Sequence, residues 1–151
     1  MTFEPCLNNE QFLKILPEDW KEYILTFWKD FKSTTACYVL IEDKKVIAGG
    51  LVFSKCPPDM FYAINESNKW FEKGYLYLGF IFVIEEKRHQ NLGSIWLNHL
   101  KAKFPNQKYW LTIEDLKLDS FYVKNDFRKV KSLFNEDQEE WLYVFDPKGL
   151  M

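Results

Sequence analysis

Cysteine is scarce in this chain and odd in number: Cys6, Cys37 and Cys56, with no CxxC pair among them. That argues against a disulfide framework and for a reducing compartment, so a cytoplasmic protein is expected. The cysteines and the two histidines, His89 and His99, share no ligand spacing, and no metal site is expected. Long hydrophobic runs are absent as well. The longest, Leu76 to Ile84, falls far short of the ~20 residues that span a bilayer. The opening MTFEPCLNNEQ lacks the basic start and apolar stretch of a signal peptide, so no membrane partner is expected. Neither sign of charge dominates. Lys and Arg number 20 against 22 Asp and Glu, a net −2, which gives no basic field to draw nucleic acid. There is no low-complexity tract, internal repeat or linker. Two phosphate motifs are also missing: without GxxxxGK[ST] or GxGxxG, neither a P-loop nor a dinucleotide fold is supported.

What remains is an ordinary globular composition, 47% apolar and 28% charged, over 151 residues. That length suits a single domain, residues 1–151, able to bury a core without staples. Aromatic residues reach 19%, 14 of them Phe. That is more ring surface than core packing needs, and it leaves rings for a pocket or a homodimer contact.

Apolar periodicity sets the elements. PEDWKEYILTFWKDF places Trp20, Tyr23, Ile24, Phe27, Trp28 and Phe31 on one helical face, with Pro17 at its start and Glu18 and Asp19 in its first turn. A shorter helix is expected around Asn9 to Ile15. Cys37–Ile41 and Val46–Phe53 read as a hairpin joined by EDKK, with Gly49–Gly50 marking a bulge or a close backbone approach. KCPPDMFYAINESNKWFEKG is irregular apart from a short helix near Phe61–Ile64. YLYLGFIFVI is apolar on both alternating faces, as in a strand covered on both sides. A helix starting near Gly93 or Ser94, the strand KYWLTIE, a short helix in DLKLDSFYVKNDF and a closing hairpin follow. The order predicts a mixed α/β (α+β) fold, a sheet with helices on its faces.

The junction between the covered strand and its helix carries the chemistry. Backbone N–H groups in the first turn of a helix are unpaired and aligned with its dipole, which makes an anion site. Gly93 would let a phosphate approach, and Lys87 and Arg88 add positive charge. The stretch RHQNLG, Arg88 to Gly93, resembles the acyl-CoA loop [QR]xxGx[GA] of the GNAT superfamily of N-acyltransferases. Asn91 stands where that pattern has its first glycine, and Asn is the side chain that best tolerates a left-handed backbone. The stretch SFYVKNDF, Ser120 to Phe127, resembles a second GNAT segment, xFYxKxGF. Phe121, Tyr122, Lys124 and Phe127 match it, and Asp126 stands in its glycine position. Element order extends the resemblance over about residues 35 to 146.

The resemblance implies a GNAT fold, with a mostly antiparallel central sheet, splayed central strands and flanking helices. It implies acetyl-CoA as donor, with the pantetheine arm on Ile81, Phe82 and Val83. The pyrophosphate would sit on the amides of Arg88, His89, Gln90, Asn91, Leu92, Gly93 and Ser94. Tyr122 matches the residue that in many members protonates the leaving CoA thiolate. A carboxylate base on the central strand is absent, which leaves Glu114 or Asp115 for that role, although both suit helix capping better. His99, on the inner face of the helix, reads as a packed histidine. The acceptor would be a small-molecule or peptide amine. If rings among Trp20, Trp28, Phe61, Tyr62, Trp70 and Phe71 line its pocket, an apolar or aromatic amine fits better than a polycation. The alternative is a non-catalytic acyl-CoA-binding or sensor domain of the same fold.

Overall fold

The computed structural model of the protein describes residues 1–6 and 9–148. In chain order the elements begin with strand β1 (Thr2–Pro5), helices α1 (Glu10–Leu13) and α2 (Glu18–Phe31), and strands β2 (Thr35–Glu42) and β3 (Lys45–Phe53). Helix α3 (Ile64–Glu72), strand β4 (Tyr75–Val83), helix α4 (Leu92–Lys103) and strand β5 (Lys108–Ile113) follow. Helix α5 (Asp119–Lys124) and strands β6 (Arg128–Asn135) and β7 (Gln138–Phe145) complete the described chain. The chain forms two compact units, one from Met1–Phe53 and Leu78–Lys103, the other from Ser54–Tyr77 and Phe104 onward. Strand β4 is divided between them after Tyr77.

In the first unit the strand order is β1-β2-β3-β4, with β1–β2 and β2–β3 antiparallel. Asp43 and Lys44 both have positive φ, so the β2–β3 hairpin closes through a two-residue turn whose twist matches its strands. Successive residues of a strand face opposite ways, and Gly49 and Gly50 use this. A Cβ on Gly49 would come within 2.6 Å of the Phe12 ring of α1, and one on Gly50 within 2.8 Å of the Trp96 ring of α4. The glycine pair is therefore a close approach that seats one helix on each face of β3. The register irregularity lies instead in β2, between Leu40 and Ile41. Helix α2 buries Ile24, Phe27 and Phe31, while Trp20 and Trp28 are half-buried and Tyr23 is exposed. The stripe read from the sequence is thus mainly core.

In the second unit the order is β4-β5-β7-β6. The β4–β5 pairing is parallel and covers three residue pairs, Tyr75 with Lys108 through Tyr77 with Trp110. The β5–β7 and β6–β7 pairs are antiparallel.

Two elements depart from the sequence expectation. β1 was not expected, because TFEP is short, lacks alternation and contains Pro5, which is tolerated only where no ladder N–H is needed. The segment before β4 was expected to be irregular with a short helix near Phe61–Ile64. It forms a 3-10 turn over Pro58–Ala63 and then α3, which buries Ser67 and Trp70. Those two contacts sit among Asn65, Glu66, Asn68 and Lys69, so the apolar stripe is too thin to register as periodic.

Gly50→Ala is expected to overpack the β3–α4 contact and lower stability by about 1–3 kcal/mol. Thermal denaturation checks this, and an unchanged Tm would show that the Trp96 ring yields freely.

Candidate active site

Strand β4 is kinked. Phe80 has φ +56°, a conformation that a bulky side chain rarely takes, at a cost of order 1–3 kcal/mol. Ring packing offsets that cost. Phe80 lies 5.7 Å from Trp20, 6.4 Å from Phe27 and 6.4 Å from Phe53, centroid to centroid, and Trp20 also meets Phe82 at 5.8 Å. The kink interrupts the pleat immediately before Ile81, Phe82 and Val83, all half-buried. An interruption of this kind re-aims side chains and backbone groups along the rest of a strand.

After Ile84, a 3-10 turn over Glu85–Lys87 leads into the loop. His89 at φ +66° and Asn91 at φ +64° are both left-handed. Asn91 therefore holds the glycine-like backbone that the sequence comparison demanded of it. Its carbonyl accepts from the Ile95 N–H at 3.0 Å, which makes Asn91 the residue that opens α4. Leu92, Gly93 and Ser94 form the first turn, where amides lack intrahelical acceptors. Left-handed residues just before a helix turn successive N–H groups to one side, a nest suited to a phosphate. His89, Gln90 and Asn91 are exposed, while Leu92 and Ser94 anchor the helix by burial.

The basic side chains here differ from expectation. Lys87 bridges to Glu42 of β2 at 2.8 Å, so its charge is shared with a carboxylate of the neighbouring strand pair. Arg88 Nε donates to the Val83 carbonyl at 3.1 Å, and its guanidinium lies 5.3 Å from the Phe82 ring centroid. Arg88 thus ties the loop to the end of β4. His99 is exposed, not packed inside, and stacks on Phe3 of β1 at 5.3 Å. Its partner belongs to the strand the sequence did not reveal.

Tyr122 belongs to the second unit, in α5. The end of that helix explains its setting. Asp126 is left-handed at φ +71°, Phe127 N–H donates to the Tyr122 carbonyl at 3.0 Å, and Asp126 N–H to that of Val123 at 3.1 Å. This is a Schellman cap, and its usual apolar contact is the Tyr122–Phe127 ring pair at 5.5 Å. Asn125 Nδ2 donates to the Phe121 carbonyl at 2.8 Å and adds a further tie. Tyr122 is 8% exposed, and burial pushes its phenol up to about 12. No described residue hydrogen-bonds its hydroxyl. The phenols of Tyr62, Tyr75 and Tyr143 instead donate to Glu140, Asp146 and Asp119.

A carboxylate group in the second unit was not legible in the sequence. Asp59, in the turn before α3, accepts from Tyr77 Oη at 3.4 Å through Oδ2, while its buried Oδ1 has no partner among the described residues. Thr112 Oγ1 lies 3.5 Å from the same Tyr77 hydroxyl. Glu140, 5% exposed on β7, accepts from Tyr62 Oη at 2.5 Å. Burial, reinforced by the charges of Glu140 and Glu114, pushes the Asp59 carboxyl up to about 6. Burial likewise raises Glu140. Of the two candidate bases, Asp115 accepts from the Lys117 N–H at 3.0 Å and caps a turn, and Glu114 is exposed. Among the described residues no cluster of His, Cys, Asp and Glu has a metal-holding arrangement, and no helix is long and apolar enough to cross a membrane.

Solved structures share this fold at low sequence identity. A GNAT-family acetyltransferase from Staphylococcus aureus aligns at TM-score 0.65 and 13% identity, covering 97% of this chain and 99% of that one. An aminoglycoside 6'-N-acetyltransferase complexed with coenzyme A aligns at TM-score 0.67 and 11% identity, covering 97% of each. A GNAT-family acetyltransferase from Elizabethkingia anophelis with acetyl-CoA bound gives 0.62 and 13%, covering 96% and 97%. No curated protein matches the sequence. The profile of the Acetyltransferase (GNAT) family matches residues 6–129, and the chain belongs to that family.

Two outcomes test the local physics. Asn91→Gly is expected to leave stability nearly unchanged, whereas Asn91→Val, β-branched at a left-handed position, costs about 1–2 kcal/mol. Equal melting curves for the two variants would contradict the role given to that angle. The second outcome concerns pH. The Asp59 carboxyl holds its proton to about pH 6 when folded, against about pH 4 in an unfolded chain. Its contribution to stability is therefore complete below about pH 4 and is lost as pH rises through about 6, by about 3 kcal/mol at most. Asp59→Asn is expected to flatten that slope, gaining over wild type near pH 8 and not near pH 4. Urea denaturation across the range measures it, and parallel curves would sink the assignment.

Proposed function

We propose that this chain is an acyl-CoA-dependent N-acyltransferase that moves an acetyl group from acetyl-CoA to a primary amine of a small molecule or peptide. Family membership together with the left-handed Asn91 at the head of α4 carries the reading. Solved relatives holding coenzyme A and acetyl-CoA support the donor. On this reading amides between His89 and Ser94 hold the pyrophosphate, the Arg88 N–H being committed to the Glu85 carbonyl at 3.2 Å, and Ile81, Phe82 and Val83 line the pantetheine arm beyond the kink at Phe80. The parallel β4–β5 ladder covers only the first three residues of β4, which suits a strand whose later backbone groups serve a ligand.

The amine attacks the thioester carbonyl carbon, the C–S bond breaks, and the thiolate needs a proton. Tyr122 supplies it: its phenol stays protonated at neutral pH, and its hydroxyl is committed to no described residue. The incoming ammonium must first lose a proton. Asp59 suits that role, because its affinity lies close to neutrality and Oδ1 lacks an internal partner. Proximity in a ternary complex contributes most of the rate. An amine with an apolar or aromatic body fits the exposed Phe61 beside Tyr62.

Calorimetric titration with acetyl-CoA and desacetyl-CoA comes first, and no binding at millimolar ligand would sink the reading. CoA release is then followed over a panel of amines. Tyr122→Phe is expected to lower kcat by about 10²–10⁴-fold with CoA affinity within about twofold, and Asp59→Asn to abolish the acidic limb of the kcat/KM profile. Tight CoA binding without turnover on any amine would leave the non-catalytic acyl-CoA-binding domain. A mutant equal to wild type would make Tyr122 structural, and activity confined to polycations would count against the apolar acceptor.

A further inference from the structure

Cys6 and Cys37 both lie in the first unit, outside every group invoked above. The β1–β2 ladder pairs Pro5 with Tyr38, so one more step of the antiparallel register sets Cys6 opposite Cys37. The hydrogen bonding does extend that far, because Cys6 N–H donates to the Cys37 carbonyl at 2.8 Å. Opposed residues in such a pair have Cα atoms about 5.5 Å apart, inside the window of roughly 4.4–6.8 Å that a disulfide spans. The side chains also meet, since the Cys37 thiol shares a hydrogen bond with the Cys6 side chain. We propose that Cys6 and Cys37 form a reversible disulfide by exchange with an oxidised small-molecule disulfide of the glutathione type.

Exposure divides the roles. Cys6 is half-buried and reachable, whereas Cys37 is 7% exposed. The hydrogen bond to Cys6, followed by burial, pushes the Cys37 thiol far up, so Cys37 does not attack first. The Cys6 thiolate attacks one sulfur of the oxidant, breaking its S–S bond and releasing one thiol. Cys37 then gives up its proton and attacks the Cys6 sulfur of the mixed disulfide, releasing the second thiol. Two electrons and two protons pass from the cysteine pair to the oxidant, which leaves as two thiols. The product cross-links β1, a four-residue edge strand held otherwise by its ladder and by Phe3 stacked on Tyr38 and His99. It closes a loop of about thirty residues, and such closure raises stability chiefly through the unfolded chain.

The test uses the intact protein, reduced and then equilibrated with oxidised glutathione, quenched with acid and alkylated after denaturation. Wild type is expected to lose two hydrogens and keep one alkylatable thiol, Cys56, with a Cys6–Cys37 peptide found on mapping. The oxidised form should melt about 5–10 °C above the reduced form, and dithiothreitol should reverse the shift. Cys37→Ser is expected to stop at one glutathione on Cys6, and Cys6→Ser to take up none. Three alkylatable thiols in oxidised wild type, or a glutathione adduct that persists on Cys6 with Cys37 present, would overturn the proposal. A cross-link that includes Cys56 would overturn it equally.

Discussion

The constraint on which the candidate cofactor side depends is the left-handed turn of Phe80 within β4. A strand residue of that size does not adopt such a backbone unaided. Trp20 and Phe27 from α2 and Phe53 from β3 surround its ring, so the kink is held by contacts that also build the core. Helix α2 therefore does more than fill space. Its rings fix the conformation of the strand that leads into the loop, and Arg88 reaches back from that loop to the Val83 carbonyl. The seat of α4 is set by Gly50, whose missing side chain admits Trp96, and by the Trp96 Nε1 bond to the Tyr38 carbonyl at 3.0 Å.

The tyrosines of the second unit show how one residue type is assigned to different tasks by its neighbours. Tyr62, Tyr75 and Tyr143 each donate to a carboxylate, and burial first, then that carboxylate, raises the proton affinity of each phenol. Tyr122 packs against the rings of Phe121, Phe127 and Tyr143, and burial is what raises its phenol. Its position is secured instead by the backbone of the Schellman cap. On the proposed mechanism, the hydroxyl that protonates the thiolate is thereby held in place without an internal bond from a described residue.

Much of this was legible in the sequence where a local rule applies. Periodicity found α2, alternation and turn residues found both hairpins, and the resemblance to the GNAT motifs marked Asn91 and Asp126 as standing in glycine positions, where both are left-handed. Where contacts are long-range, the sequence was silent. Phe80 reads as an ordinary strand former, and only the rings around it explain its angle. Asp59, Tyr77, Thr112 and Glu140 come from four distant elements, and no spacing links them. β1 was missed because an edge strand needs little apolar pattern, and with it went the stacking partner of His99. The Lys87–Glu42 bridge was hidden because its partners lie far apart in the chain.

Asn91 and Asp126 share one further property. A glycine at either place would adopt the left-handed turn without strain, yet it would also give the unfolded chain more freedom to lose. Asn and Asp exchange that entropy for a modest local strain. On that balance the two encodings of one dihedral angle are expected to differ little in stability. What the backbone requires at such a site is the angle, and more than one residue type can supply it.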